Sequence, residues 1–210
     1  MKLVIFGATG TAGLQLVKQA LQQQYNVTAY GRNIHLLIEL QEQHPNLKLV
    51  KAGLFDTGEI NDALKGANGV LSAIGGDLQE GDDTRSLGIK YITQGMLKQK
   101  VNNIIAIGGI GCLQATPELM VYETESFPEE YKAVTREHLK ALSYLQQSNV
   151  NYTFVCPPTI TTKEATGEYE IKTDYPTSKF SITASDLAAY MLKQVLVTTT
   201  TKYKVGISNN

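Results

Sequence analysis

The sequence predicts an α/β fold, a single doubly wound parallel sheet with helices on both faces. Three observations lead there. Short apolar runs recur along the chain without strict polar alternation, as in strands buried on both sides. Stretches of helical period separate these runs, and the alternation repeats about five times, which implies right-handed parallel crossovers. A glycine-rich turn stands directly between the first strand and the first helix.

Taken in order, the predicted strands are Lys2–Phe6, Asn26–Tyr30, Leu47–Lys51, Gly69–Ala73, Asn103–Ile107 and Asn151–Cys156. The helix over Ala12–Gln24 carries Leu14, Val17, Ala20 and Leu21 on one face. Thr84–Lys100 carries Leu87, Tyr91, Ile92, Gly95 and Met96, and Glu129–Gln147 carries Val134, Leu139, Leu142 and Leu145. Shorter helical segments begin near Asn33 and Gly58. Ser185–Leu196 reads as a last helix and Tyr203–Ile207 as an edge strand. Residues 109–128 and 157–180 break the rhythm with Gly and Pro, and both begin where a strand ends. In an open α/β sheet the binding crevice lies there, so these stretches are expected to be acceptor-site loops of a single domain spanning residues 1–210.

Composition excludes several classes. The 210 residues carry 19 basic and 20 acidic side chains, a net charge of −1, which gives no field to recruit nucleic acid or an anionic membrane. No apolar run approaches the ~20 residues of a membrane span. Met1-Lys2 leads straight into a strand, so no signal peptide is expected. Cys112 and Cys156 are too few for a disulfide framework and read as packing residues, and the expected compartment is the cytoplasm. His35, His44 and His138 have no partner at ligand spacing, so no metal site is expected.

The strongest motif is Gly7-Ala8-Thr9-Gly10-Thr11-Ala12-Gly13, with glycines at G-x-x-G-x-x-G spacing. Gly7 permits a tight turn, Gly10 lets backbone approach a pyrophosphate, and Gly13 lets the helix pack on the strand. The helix N-terminus presents free N–H groups to phosphate, with Thr9 and Thr11 as further donors. This is the signature of a Rossmann dinucleotide site. The second strand ends Tyr30-Gly31-Arg32-Asn33, without the acid that NAD-specific sites place there. Arg32, with His35 nearby, suits a 2′-phosphate, which favours NADP(H) over NAD(H). After the third strand, Leu54 and Phe55 flank the adenine. After the fourth, Ala73, Ile74 and Gly75 pass the ribose, and Ile107 at the end of the fifth faces the nicotinamide.

No catalytic constellation is evident. The helix after the fifth strand offers Tyr131, but Thr135 stands where a Tyr-x-x-x-Lys pair needs lysine. Tyr175-x-x-x-Lys179 matches literally but lies in a proline-containing loop after the sixth strand. Gly108 and Gly109 replace the serine usual after the fifth strand. Chemistry is therefore expected to come from the cofactor, with the protein positioning it.

Several segments carry a family resemblance: the Gly-Ala-Thr-Gly turn, Arg32, the Ala106 strand end, the helix Val134-Thr135-Arg136-Glu137-His138-Leu139, the turn Cys156-Pro157-Pro158-Thr159, and the late Ile182-Thr183-Ala184-Ser185-Asp186-Leu187. Together they resemble the atypical short-chain dehydrogenases typified by biliverdin-IXβ reductases, or NADPH flavin reductases, from Met1 to about Asn209. The glycine turn is shared with NmrA-like regulators. The resemblance implies that Gly7, Thr9, Gly10, Thr11, Ala12, Gly13 and Arg32 hold the adenosine and phosphates. It also implies that Pro157 and Pro158 border the nicotinamide amide and that His138 lines the acceptor pocket, with Gly109 and Thr159 as further pocket candidates. This chain departs from the family pattern at Leu54, Gly109, Thr159 and Asp77, where the family has aspartate, serine, histidine and arginine.

The expected activity is an NADPH-dependent reduction of a flat aromatic acceptor: a flavin, a quinone or a linear tetrapyrrole. A non-catalytic NADP(H)-binding regulator is the alternative, and a nucleotide-sugar epimerase or dehydratase a third. The expected partner is a small aromatic molecule, and the expected state a monomer or small homo-oligomer.

Overall fold

The computed structural model describes residues 1–77, 81–197 and 202–210. Its first half follows the predicted alternation closely: β1 (Lys2–Phe6), α1 (Thr11–Gln22), β2 (Asn26–Gly31), α2 (Ile38–Gln43, after a 3-10 turn at Ile34–Leu37), β3 (Leu47–Lys51), α3 (Thr57–Leu64) and β4 (Gly69–Ser72). Then come α4 (Thr84–Gln99), β5 (Asn103–Ile107), α5 (Lys132–Gln147), β6 (Asn151–Cys156), β7 (Thr159–Thr161), β8 (Tyr169–Thr173), β9 (Ser181–Thr183), α6 (Ala184–Val195) and β10 (Lys202–Asn209).

The main sheet runs β3-β2-β1-β4-β5-β6-β10-β8. Every pairing from β3 to β10 is parallel, and β8 joins antiparallel at the edge. The order reverses at β1, so the C-terminal ends of β1 and β4 diverge and leave a crevice between their outgoing chains. Two apolar layers cover the sheet. Leu16, Val17 and Ala20 of α1 join Leu187, Ala188 and Met191 of α6 on one face. Ile60 and Leu64 of α3, Ile89, Ile92 and Met96 of α4 and Leu142 and Leu145 of α5 fill the other.

The structure corrects two expectations. Tyr203–Ile207 is part of a longer strand, β10, and lies inside the sheet between β6 and β8. Its lysines mislead, because Lys204 lies alongside the chain end after β5 and donates to the Cys112 carbonyl (2.8 Å). Residues 157–180 are not simply a loop: they contain β7, which pairs in parallel with β9 as a separate two-stranded sheet, and the edge strand β8. Both partners, β9 and β10, are far along the chain, so local pattern could not reveal them.

Asp186 staples this region together. Its carboxylate accepts from Thr166 N (2.9 Å), Gly167 N (3.0 Å), Thr183 Oγ1 (2.8 Å) and Asn209 Nδ2 (2.7 Å). These donors hold its pKa below the usual carboxylate range, despite a burial that pushes the other way. No helix among the described residues is long and apolar enough to cross a membrane.

Candidate functional site

The glycine turn shows three separate steric roles. Gly7 has φ +73°, a left-handed conformation, and a Cβ there would strike the Ala73 carbonyl of the neighbouring strand end. A Cβ on Gly13 would strike the Gly7 carbonyl, with the Gly7 carbonyl carbon at 2.8 Å. At Gly10 the nearest atom is Gly7 O at 3.5 Å, an ordinary contact, so the space above it is open. Gly10 is also the N-cap of α1 and provides no side-chain cap. The first intrahelical bond of α1 is Leu14 N to Gly10 O (2.8 Å), which leaves the N–H groups of Thr11, Ala12 and Gly13 ahead of it. An open cradle over uncapped N–H groups fits a dinucleotide's diphosphate.

A cleft of about 390 Å³ runs from this turn. Nine of the residues singled out in the sequence line it: Gly7, Thr9, Gly10, Arg32, Leu54, Phe55, Ala73, Ile74 and Gly75. At Gly31, Gly53 and Gly75 a Cβ would meet nothing within 4 Å, so the floor is backbone facing empty space. Tyr30 supports that floor: its hydroxyl donates to Gly53 O (2.8 Å) and its ring lies 4.8 Å from Phe6. Burial, with Asp56 and Glu59 nearby, pushes the Tyr30 pKa up to about 12, so it stays protonated. Arg32 is exposed at the cleft wall, and no hydrogen bond or ion pair engages its guanidinium among the described residues. Phe55 is 60% exposed and meets Tyr91 edge-on at 5.9 Å, an apolar border on the β3 side. Thr84, at the start of α4, also lines the cleft and carries no sequence signal of its own.

Thr11 lines a neighbouring recess, while Ala12 is buried beneath the turn. Ile107 ends β5, and Pro157 and Pro158 follow β6, so all three lie at the C-terminal edge of the sheet, outside the lined cleft. Thr159 is exposed and opens β7 with its N–H bonded to Phe180 O (3.3 Å). His35 is exposed on the turn after β2 and does not line the cleft.

His138 and Gly109 come together. A Cβ on Gly109 would sit 3.3 Å from His138 Cδ2 and 3.6 Å from Nε2, a tight contact that puts the imidazole directly beside Gly109. The ring meets Phe154 edge-on at 6.4 Å, and Nδ1 is enclosed with no hydrogen-bond partner among the described residues. Desolvation, helped by the Arg85 guanidinium, lowers the His138 pKa to about 3, so the ring is neutral at physiological pH.

Arg85 itself was missed in the sequence. It is buried on α4 and reaches back to the chain after β4, donating to Gly76 O (2.7 Å) and Asp77 O (2.9 Å) with Asp82 at 3.5 Å. Asp77 occupies the place expected to hold an arginine, and Arg85 brings a guanidinium to the same strand end from eight residues along. Gly108 is fixed by packing, because a Cβ would collide with the Phe154 ring. Tyr175 and Lys179 lie in the loop between β8 and β9, with the Tyr175 carbonyl packed against Gly206.

Known proteins share this architecture and some of its sequence. YwnB of Bacillus subtilis, an uncharacterised protein, is 28% identical over 163 residues, covering 75% of this chain and 71% of its own. A protein of Burkholderia pseudomallei, named as a candidate exported protein, is 28% identical in structure alignment with a TM-score of 0.84 over 99% of both chains. A candidate NADH-flavin reductase of Streptococcus pneumoniae is 24% identical with a TM-score of 0.83 over 100% of both chains, a likeness of fold. The NAD(P)H-binding family model matches residues 7–197, nearly the whole chain, and the chain belongs to that family.

Proposed function

We propose that this chain is an NADPH-dependent reductase of flat aromatic acceptors such as flavins, quinones or linear tetrapyrroles. The observation that carries the reading is the cleft itself. It joins the open cradle at Gly10 to an unengaged Arg32 at the end of β2, with no carboxylate lining it. A guanidinium there can take a 2′-phosphate through charge-assisted bonds, which NADH cannot offer. The Streptococcus pneumoniae protein named for flavin reduction supports the same class of chemistry.

The bound nicotinamide would supply a hydride. Thr11 to Gly13 would hold the diphosphate through backbone N–H groups, and Gly75 would let the chain pass the ribose closely. Pro157 and Pro158 would border the nicotinamide end, where they have no N–H groups to donate. Gly109 lies beside the neutral His138 ring, and in this reading the two would border the acceptor. A ring with a pKa of about 3 holds no proton to give at neutral pH, so the proton for the acceptor comes from solvent.

The absence of a serine at Gly109 and of a Tyr-Lys pair on α5 favours a second reading, a non-catalytic NADP(H) sensor. One experiment separates the two. NADPH oxidation is followed with FMN, riboflavin, a quinone and biliverdin in turn, beside calorimetric binding of NADPH. Turnover of any acceptor supports the reductase. Tight NADPH binding with no turnover of the whole panel supports the sensor and overturns the reductase.

A further inference from the structure

A recess of about 290 Å³ opens on the other side of the glycine turn. Thr9, Gly10 and Thr11 of the turn line it together with Thr162, Lys163 and Ser185. It shares Thr9 and Gly10 with the main cleft, so the two spaces meet above the uncapped start of α1.

This lining is held in place. Lys163 follows β7 by one residue, and β7 is registered against β9 with Thr161 opposite Thr183. Thr183 is in turn the N-cap of α6 and donates its N–H to Asn209 Oδ1 (2.7 Å). Ser185 is fixed to α1 by Gln19, whose amide donates to Ser185 O and Oγ, both at 2.9 Å. Among the described residues no carboxylate or carbonyl engages the Lys163 ammonium. The two spaces are lined by one cation each, Arg32 in the cleft and Lys163 in the recess.

We propose that Lys163 is a phosphate-binding residue that faces the glycine turn. It would take the diphosphate of the dinucleotide where the cleft and recess meet. The proposal rests on the cofactor reading above. N–H groups of the helix start satisfy one side of a diphosphate, and a lysine acts as a point charge on the other without demanding the planar geometry of arginine. Arg32 then discriminates by the 2′-phosphate, and Lys163 binds what NADPH and NADH share.

The test is calorimetry of wild type, Lys163→Gln and Lys163→Arg with NADPH and NADH, beside KM values for FMN and riboflavin. Loss of one charge-assisted contact predicts that Lys163→Gln weakens both dinucleotides alike by about tenfold or more, with Lys163→Arg restoring most of it. Unchanged dinucleotide binding with a KM raised for FMN but not riboflavin overturns the assignment to the dinucleotide and moves the lysine's contact to the acceptor's phosphate. Unchanged values throughout overturn the proposal, while tight NADPH binding by wild type keeps the cofactor reading. A wild type that binds neither dinucleotide overturns both.

Discussion

Two glycines three residues apart in the same turn should respond to substitution in opposite ways. At Gly10 the backbone is extended (φ −74°, ψ 169°), open to any L residue, and an added Cβ meets only Gly7 O at 3.5 Å. Gly10→Val should therefore fold, with a cost of about 1 kcal/mol from placing a poor N-cap residue at the start of α1. Its side chain would stand in the space that leads to the N–H groups of Thr11 to Gly13. Hydrogen bonds to a charged group contribute about 1.5–3 kcal/mol each, so losing one or two predicts a loss of NADPH affinity of roughly tenfold to several hundredfold or more. At Gly13 the colliding atoms are backbone: Gly7 O, Gly7 C at 2.8 Å and Ala8 Cα at 3.0 Å. Backbone cannot swing aside, so Gly13→Ala should cost about 1–3 kcal/mol of stability through overpacking. Urea denaturation and calorimetric titration of both variants measure the two effects separately. A folded Gly10→Val with wild-type affinity, or a Gly13→Ala as stable as wild type, would refute the assignment of roles.

Three further outcomes follow from the site and its supports. Wild type should prefer NADPH over NADH by roughly tenfold or more, and Arg32→Ala should remove most of that preference by weakening NADPH alone; equal weakening of both dinucleotides would show that Arg32 does not read the 2′-phosphate. Asp186→Ala should cost about 3 kcal/mol or more in denaturant unfolding, because four donors lose a charged acceptor at once; a cost under about 1 kcal/mol would mean that solvent replaces it. His138 has a folded pKa of about 3, below the ordinary value of about 6.5, so the unfolded chain binds the extra proton between these limits. Its stabilising contribution is full above pH 6.5 and declines as pH falls toward 3, by at most about 2 kcal/mol at pH 5. His138→Phe should flatten that part of the stability profile, and an unchanged slope between pH 6.5 and 5 would show that the ring titrates normally.

What was legible in the sequence is what depends on neighbours along the chain. The six strands from Lys2 to Cys156 announce themselves by short apolar runs, and the glycine turn by a spacing whose two steric demands, at Gly7 and Gly13, flank the open Gly10 within seven residues. Arg32 is legible by register, because the turn fixes where the end of β2 must lie. The features that were missed depend on partners far along the chain. Tyr169–Thr173 looks like loop among glycines and prolines until Ile207 of β10 pairs with Ile171. Thr84 enters the cleft only because the sheet brings the start of α4 back to the glycine turn.

The acceptor end shows the same limit in its chemistry. Gly109 in isolation reads as a lost serine, and His138 as a helix residue with an ordinary titration. Once β5 and α5 are packed, the glycine and the imidazole are neighbours: a Cβ at Gly109 would sit 3.3 Å from His138 Cδ2, so the ring would have to give by a few tenths of an ångström, and burial keeps the ring neutral. The substitution is therefore coupled rather than a deletion. Gly109→Ser should push His138 outward, raise its pKa toward the ordinary value and introduce a pH-dependent limb near neutrality into acceptor reduction, whereas Gly109→Ser/His138→Ala should carry the hydroxyl without that limb. Comparing the pH profiles of flavin reduction in the two variants tests this coupling. A limb present in both, or absent from both, would mean that the side chain at 109 does not control the imidazole.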